Sequence, residues 1–137
     1  MIDTFSTTRE KKKLKFSAVT TSSRVQKNLG MMRIKTGLTP NISLRFGFCM
    51  SLKDPSIPNP DEYNQEGSKL EPAVLFGIHE PIYMALMLNR LKKDKLDPET
   101  YLHKMTRAHL NRGAIAIWPR INDLSDFYEL VKEERNA

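Results

Sequence analysis

Thr36-Gly37-Leu38-Thr39-Pro40-Asn41 decides the fold of this 137-residue chain. The stretch closes one helix and opens another with almost no linker. Gly37 is free to take the left-handed backbone that ends a helix. Thr39 is placed to cap the next helix with its hydroxyl. Pro40 suits the first helical position, where a missing N–H has no partner to lose. The second helix then presents the free N–H groups of Asn41 and its neighbours at its positive dipole end. That is the chemistry of an anion site, and phosphate is the anion expected for a basic protein. A tight helix–helix turn without a ligand accounts for the same residues.

Upstream, Thr20 to Ser23 offer several caps, and a helix over about 22–36 puts Val25, Leu29 and Met32 on one face. Gly30 sits inside it and costs about 1 kcal/mol relative to alanine. It either admits a close neighbour or is tolerated. Before it, Leu14, Phe16 and Ala18 alternate with Lys13, Lys15 and Ser17, the two-residue period of a half-buried strand. Residues 1–10 are polar and unpatterned and read as an arm. Downstream, Pro40 to Leu52 carries Ile42, Leu44, Phe46, Phe48, Cys49, Met50 and Leu52, broken by Asn41, Ser43, Arg45 and Ser51. A helix this apolar is expected at the centre of the core. Strand, helix, turn and helix over 11–52 form a ribbon-helix-helix-like unit. A lone strand cannot satisfy its own backbone, so the pattern predicts a partner strand from a second chain.

Residues 53–72 hold Pro55, Pro58, Pro60 and Pro72, a surface crossing rather than a domain linker. A helical half follows over 73–134. One helix covers about 80–93, with Ile82, Ala85, Leu86, Met87, Leu88 and Leu91 making it another buried element. Asp97-Pro98-Glu99 starts the next, which runs to about 111 and is expected to bend at Gly113. Pro119 is placed to split the apolar segment after it. Asn122 or Ser125 caps a last helix carrying Leu124, Phe127, Leu130 and Val131. The length fits one domain, and the helical segments read along the chain against a single strand make the expected fold class mainly α.

Charge is uneven. Residues 1–53 hold 11 Lys/Arg against 2 Asp/Glu, while residues 54–137 hold 11 against 14. A basic half on a near-neutral body points to a polyanion, DNA or RNA first. A solvated basic tail is the plain alternative. The candidate DNA contacts are Lys11, Lys12, Lys13, Lys15, Arg24, Lys27, Arg33, Lys35, Thr39, Asn41 and Arg45. Arg45 is the least secure, because on a buried helix it is equally suited to pairing with a carboxylate. The single Cys49 lies in an apolar run and reads as a small buried hydrophobe. With no signal region and no span-length apolar stretch, the expected setting is soluble and cytoplasmic, without a membrane.

Catalytic patterns are not legible. His103 and His109 are six apart and do not share a helical face, so no metal site is expected. No glycine-rich phosphate loop is present. Asp61, Glu62, Glu66 and Lys69 lie on a polar loop with the wrong spacing for a metal-dependent nuclease. In His109-Leu110-Asn111-Arg112-Gly113, polar groups interrupt a core helix. An intramolecular hydrogen-bond cluster is favoured there over a DNA contact.

Taken together, Arg33 to Asn41, the apolar helix with Arg45, Asp61-Glu62-Tyr63, Glu66-Gly67, Leu75-Phe76-Gly77, Asp97-Pro98-Glu99 and His109 to Gly113 resemble the DndE family. That family belongs to bacterial DNA phosphorothioation, the sulfur modification of DNA. The resemblance covers roughly residues 12–126. The Lys-rich start, Pro119 and the charged tail to Ala137 depart from it. It implies a mostly helical homotetramer that binds DNA, preferring nicked duplex. It implies work beside the DndC and DndD subunits and a cysteine desulfurase, with no cofactor of its own. Nicking has been assigned to some members. Three readings follow: a DNA-binding accessory subunit, a nicking endonuclease of the same system, and an unrelated ribbon-helix-helix repressor.

Overall fold

Ser22, Gly37 and Pro40 punctuate the first half of the chain as their chemistry dictates. The computed structural model describes residues 14–136. Helix α1 spans Ser23–Thr36, and the Ser22 hydroxyl accepts the Val25 N–H at 3.1 Å. Gly37 closes it at φ 79°, its N–H donating to the Arg33 carbonyl at 2.8 Å. Val25, Leu29 and Met32 are buried, as the spacing predicts. Gly30 is exposed, and a Cβ there would meet nothing within 4 Å, so it is a tolerated glycine. Helix α2 spans Pro40–Lys53 with proline in its first turn.

Four further helices complete the described residues: α3 (Pro72–Phe76), α4 (Glu80–Lys93), α5 (Pro98–Ile117) and α6 (Leu124–Asn136). The chain is a mainly α fold with one small sheet. None of the described helices is long and apolar enough to cross a membrane. Asp97 caps α5 by accepting the Thr100 N–H at 3.1 Å.

Several expectations are corrected. The strand is not Leu14 to Ala18 but β1, Val19–Thr20, and its partner lies in the same chain. It pairs antiparallel with β2, Lys69–Leu70, at the end of the proline-rich crossing. The preceding segment is anchored by side chains instead, Phe16 packing on Phe76 with ring centroids 4.5 Å apart. A ribbon shared between two chains, and the argument for a dimer built on it, therefore fall away. Gly113 does not end α5, which continues to Ile117. It lies where α5 crosses α2. A Cβ on Gly113 would sit 1.9 Å from the Gly47 carbonyl oxygen, and one on Gly47 would sit 2.7 Å from the Gly113 carbonyl carbon. Two glycines thus bring the central helices into backbone contact. Helix α4 buries only Met87 and Leu91 among its expected apolar residues, while Ile82, Ala85 and Leu86 are exposed. Asp123, rather than Asn122 or Ser125, accepts the Asp126 N–H at 2.9 Å and starts α6.

Candidate nucleic-acid interface

Helix α1 contains no acidic residue and four cations, Arg24, Lys27, Arg33 and Lys35, all exposed. The buried stripe Val25, Asn28, Leu29 and Met32 fixes which way it faces. At about 100° per residue, Arg24, Lys27 and Lys35 share one flank of the helix and Arg33 lies on the other. Lys35 is partly engaged, its ammonium 4.9 Å from the centroid of the Trp118 ring. Such a contact leaves the charge in place while fixing the side chain. Lys15 is exposed beside the buried Phe16. Lys11, Lys12 and Lys13 lie outside the described residues.

The start of α2 differs in detail from expectation. The Thr39 hydroxyl accepts no backbone N–H and instead donates to Asn41 Oδ1. The Ile42 and Ser43 N–H groups turn to the Thr39 carbonyl, at 3.1 and 3.4 Å. The free donor set is therefore smaller than the four that an α-helix start leaves open. Arg45 finds no carboxylate among the described residues and is half-buried. Its Nε donates to the Leu75 carbonyl at 2.5 Å and its Nη2 to the Val74 carbonyl at 3.2 Å, closing the end of α3. A guanidinium on helix C-terminal carbonyls is favourable on both hydrogen-bond and dipole grounds.

The polar run on α5 is internal. His109 is fully buried, with Nδ1 2.8 Å from Ser51 Oγ. Burial, reinforced by Arg90 and Arg112, pushes its pKa down to about 3. Asn111 accepts the Ser22 N–H at 2.9 Å and donates to the Arg107 carbonyl at 2.8 Å. Arg112 donates to Ser51 Oγ and to the Ser51 carbonyl, both at 2.8 Å. These groups tie α5 to α2 and to the start of α1, the structural alternative of the two weighed from the sequence.

Two buried arginines that sequence patterning did not single out hold the crossing. Arg90 pairs with Asp94 at 2.8 Å and donates to the carbonyls of Leu52, Asp54 and Ser56 at 2.9, 2.6 and 2.6 Å. Arg107 donates to the carbonyls of Thr20, Tyr63 and Asn64. A proline-rich segment lacks N–H groups and leaves carbonyls unpaired, and a five-donor guanidinium can gather several at once. Among the described residues, no group of three or more His, Cys, Asp or Glu side chains is arranged to hold a metal.

The match to known proteins follows this geometry. A family model described as DNA sulphur modification protein DndE matches residues 18–123. The fold is similar to a crystal structure of DndE from Escherichia coli B7A involved in DNA phosphorothioation modification. The TM-score is 0.61 at 21% identity, over 76% of this chain and 98% of that one. A DndE G21/24K mutant involved in DNA phosphorothioation gives a TM-score of 0.60 at 20% identity, over 76% and 99%. No curated protein matches the chain. The family match spans the first strand, both helices of the organising turn, the crossing and the whole of α5, so the chain belongs to the DndE family.

Proposed function

We propose that this protein is a DNA-binding subunit of the phosphorothioation machinery, holding duplex DNA by its backbone while other subunits carry out the sulfur chemistry. One observation carries the reading: α1 exposes four cations and no acid, within a stretch of 53 residues whose sequence holds 11 Lys/Arg against 2 Asp/Glu. Phosphate contacts of this kind position a protein on DNA without reading sequence. Lys15, Arg24, Lys27, Arg33 and Lys35 are the contacts, joined by Lys11, Lys12 and Lys13. The Asn41 N–H at the start of α2 supplies one further phosphate contact. Arg45, occupied by carbonyls, is left out. The working form is a homo-oligomer, a tetramer by family resemblance, and its protein partners are DndC and DndD. The intrachain pairing of β1 removes the basis for a ribbon-helix-helix repressor, whose strands come from two chains.

A pull-down tests the assignment. Tagged protein retains DndC and DndD from cells carrying the whole system, and retention survives nuclease treatment. Absence of both subunits would remove it from the modification complex. Magnesium-dependent relaxation of supercoiled plasmid by the pure protein would make it the nicking endonuclease instead.

A further inference from the structure

Tyr63 stands between two surface clefts. It follows the short 3-10 turn Pro60–Glu62, its N–H donating to the Pro60 carbonyl at 3.3 Å. The side chain is half-buried and packs against the core, and the residue lines both clefts. One cleft, of about 440 Å³, lies beside the start of α1 and is lined by Arg24, Glu62 and the half-buried Ile115 of α5. The other, of about 310 Å³, is lined by Asp61, Gln65 and Lys104 of α5. Arg24, Lys104, Asp61 and Glu62 are all exposed. Lys104 and Ile115 are eleven residues apart on α5, about 16 Å at the rise of a helix.

The walls are fixed by the fold itself. Asn64 Oδ1 accepts the N–H groups of Ser23 and Glu66, both at 3.0 Å, and its Nδ2 donates to Ser23 Oγ at 3.1 Å. Arg107 holds the carbonyls of Tyr63 and Asn64. Such fixing lowers the ordering cost of binding. An accessible ring flanked by cations is the arrangement that holds single-stranded nucleic acid, bases stacking on the ring and cations following the backbone. Asp61 and Glu62 suit bases rather than phosphates. A carboxylate accepts from an exocyclic amine, such as N4 of cytosine, and repels a phosphate. We infer that the two clefts take a few unpaired nucleotides of a DNA strand, with a base stacked on Tyr63 and phosphates on Arg24 and Lys104. Arg24 also belongs to the α1 surface assigned to the duplex, so the clefts continue that surface onto a strand that has left the helix. The inference rests on the DNA reading above and extends it from paired to unpaired nucleotides.

Equilibrium binding of the full chain to two unbroken duplexes tests it. One is fully matched, and the other carries a three-nucleotide bulge with 2-aminopurine at its centre. The wild type is expected to bind the bulged duplex about tenfold more tightly, the effect of one stacked base, and to quench the 2-aminopurine. Tyr63→Phe should keep both effects. Tyr63→Leu should lose both while binding the matched duplex as the wild type does. Lys104→Ala, at an exposed position, should weaken binding of the bulged duplex alone. Equal wild-type affinity for the two duplexes, with no quenching, would overturn the site and leave the backbone reading standing. A preference that survives Tyr63→Leu, or that Lys104→Ala leaves unchanged, would also overturn it. Wild-type protein that binds neither duplex would remove the DNA reading and this inference together.

Discussion

Replacing Gly113 by alanine tests the backbone contact at the centre of the fold. The added Cβ would stand 1.9 Å from the Gly47 carbonyl oxygen and 2.2 Å from its carbon, both backbone atoms that no rotamer change can move. Restoring ordinary contact requires α2 and α5 to separate by about 1.5 Å at the crossing, a gap that forfeits more than half of the local dispersion energy. The Ser51–His109 hydrogen bond, now 2.8 Å, spans the same two helices and would stretch beyond reach. Overpacking costs about 1–3 kcal/mol and a buried polar group left unpaired about as much again. Alanine returns about 1 kcal/mol of helix propensity. The net loss is therefore about 3 kcal/mol, on the order of 10 °C in melting temperature for a domain of this size. Gly30→Ala is the control, since nothing lies within 4 Å of its Cβ. It should gain up to about 1 kcal/mol. Urea unfolding of both variants reads the difference. A Gly113→Ala protein as stable as the wild type would refute the crossing.

Further outcomes concern the organising turn and the buried histidine. Asn41→Asp keeps an acceptor for the Thr39 hydroxyl and places a carboxylate in the first turn of α2, so its melting temperature should equal or exceed that of the wild type. Its DNA affinity should fall, because the carboxylate repels phosphate; equal or tighter binding would remove the phosphate from this turn. His109 is held neutral with a folded pKa of about 3, below the ordinary 6.5. The unfolded chain binds the extra proton between those values, so stability is full above about 6.5 and falls as pH drops toward 3. The slope is up to about 1.4 kcal/mol per pH unit. His109→Gln should flatten that part of the stability–pH curve, and an unchanged curve would show that another group titrates.

Helix ends were legible wherever a residue has one local use. Gly37 and Asp97-Pro98 mark their boundaries by backbone geometry alone, and the structure ends and starts helices there. Glycine within a helix is ambiguous by the same rule. Gly30 and Gly113 look alike in sequence, yet one faces open space and the other a second backbone. The alternation of Leu14, Phe16 and Ala18 suggested a strand because period reports which side is buried, not whether a ladder exists. Phe16 is buried by packing against Phe76 without one. Apolar content placed α4 in the core, but only tertiary contacts decide which of its stripes is covered. The roles of Arg90 and Arg107 were invisible because their partners are carbonyls more than 30 residues away in the chain. The cations of α1 were legible, since a helix with a clear buried stripe fixes the exposure of the rest.

Salt dependence of DNA binding tests the central claim most directly. Affinity for a duplex is measured across a range of salt for the wild type and for Lys11→Ala/Lys12→Ala/Lys13→Ala/Lys15→Ala. Each phosphate contact on duplex DNA contributes about 0.9 to the log–log slope. Loss of four contacts should therefore weaken binding at every sequence tested and reduce the slope by about 3 to 4. An unchanged affinity and an unchanged slope would contradict the assignment of this basic segment as the DNA-binding surface.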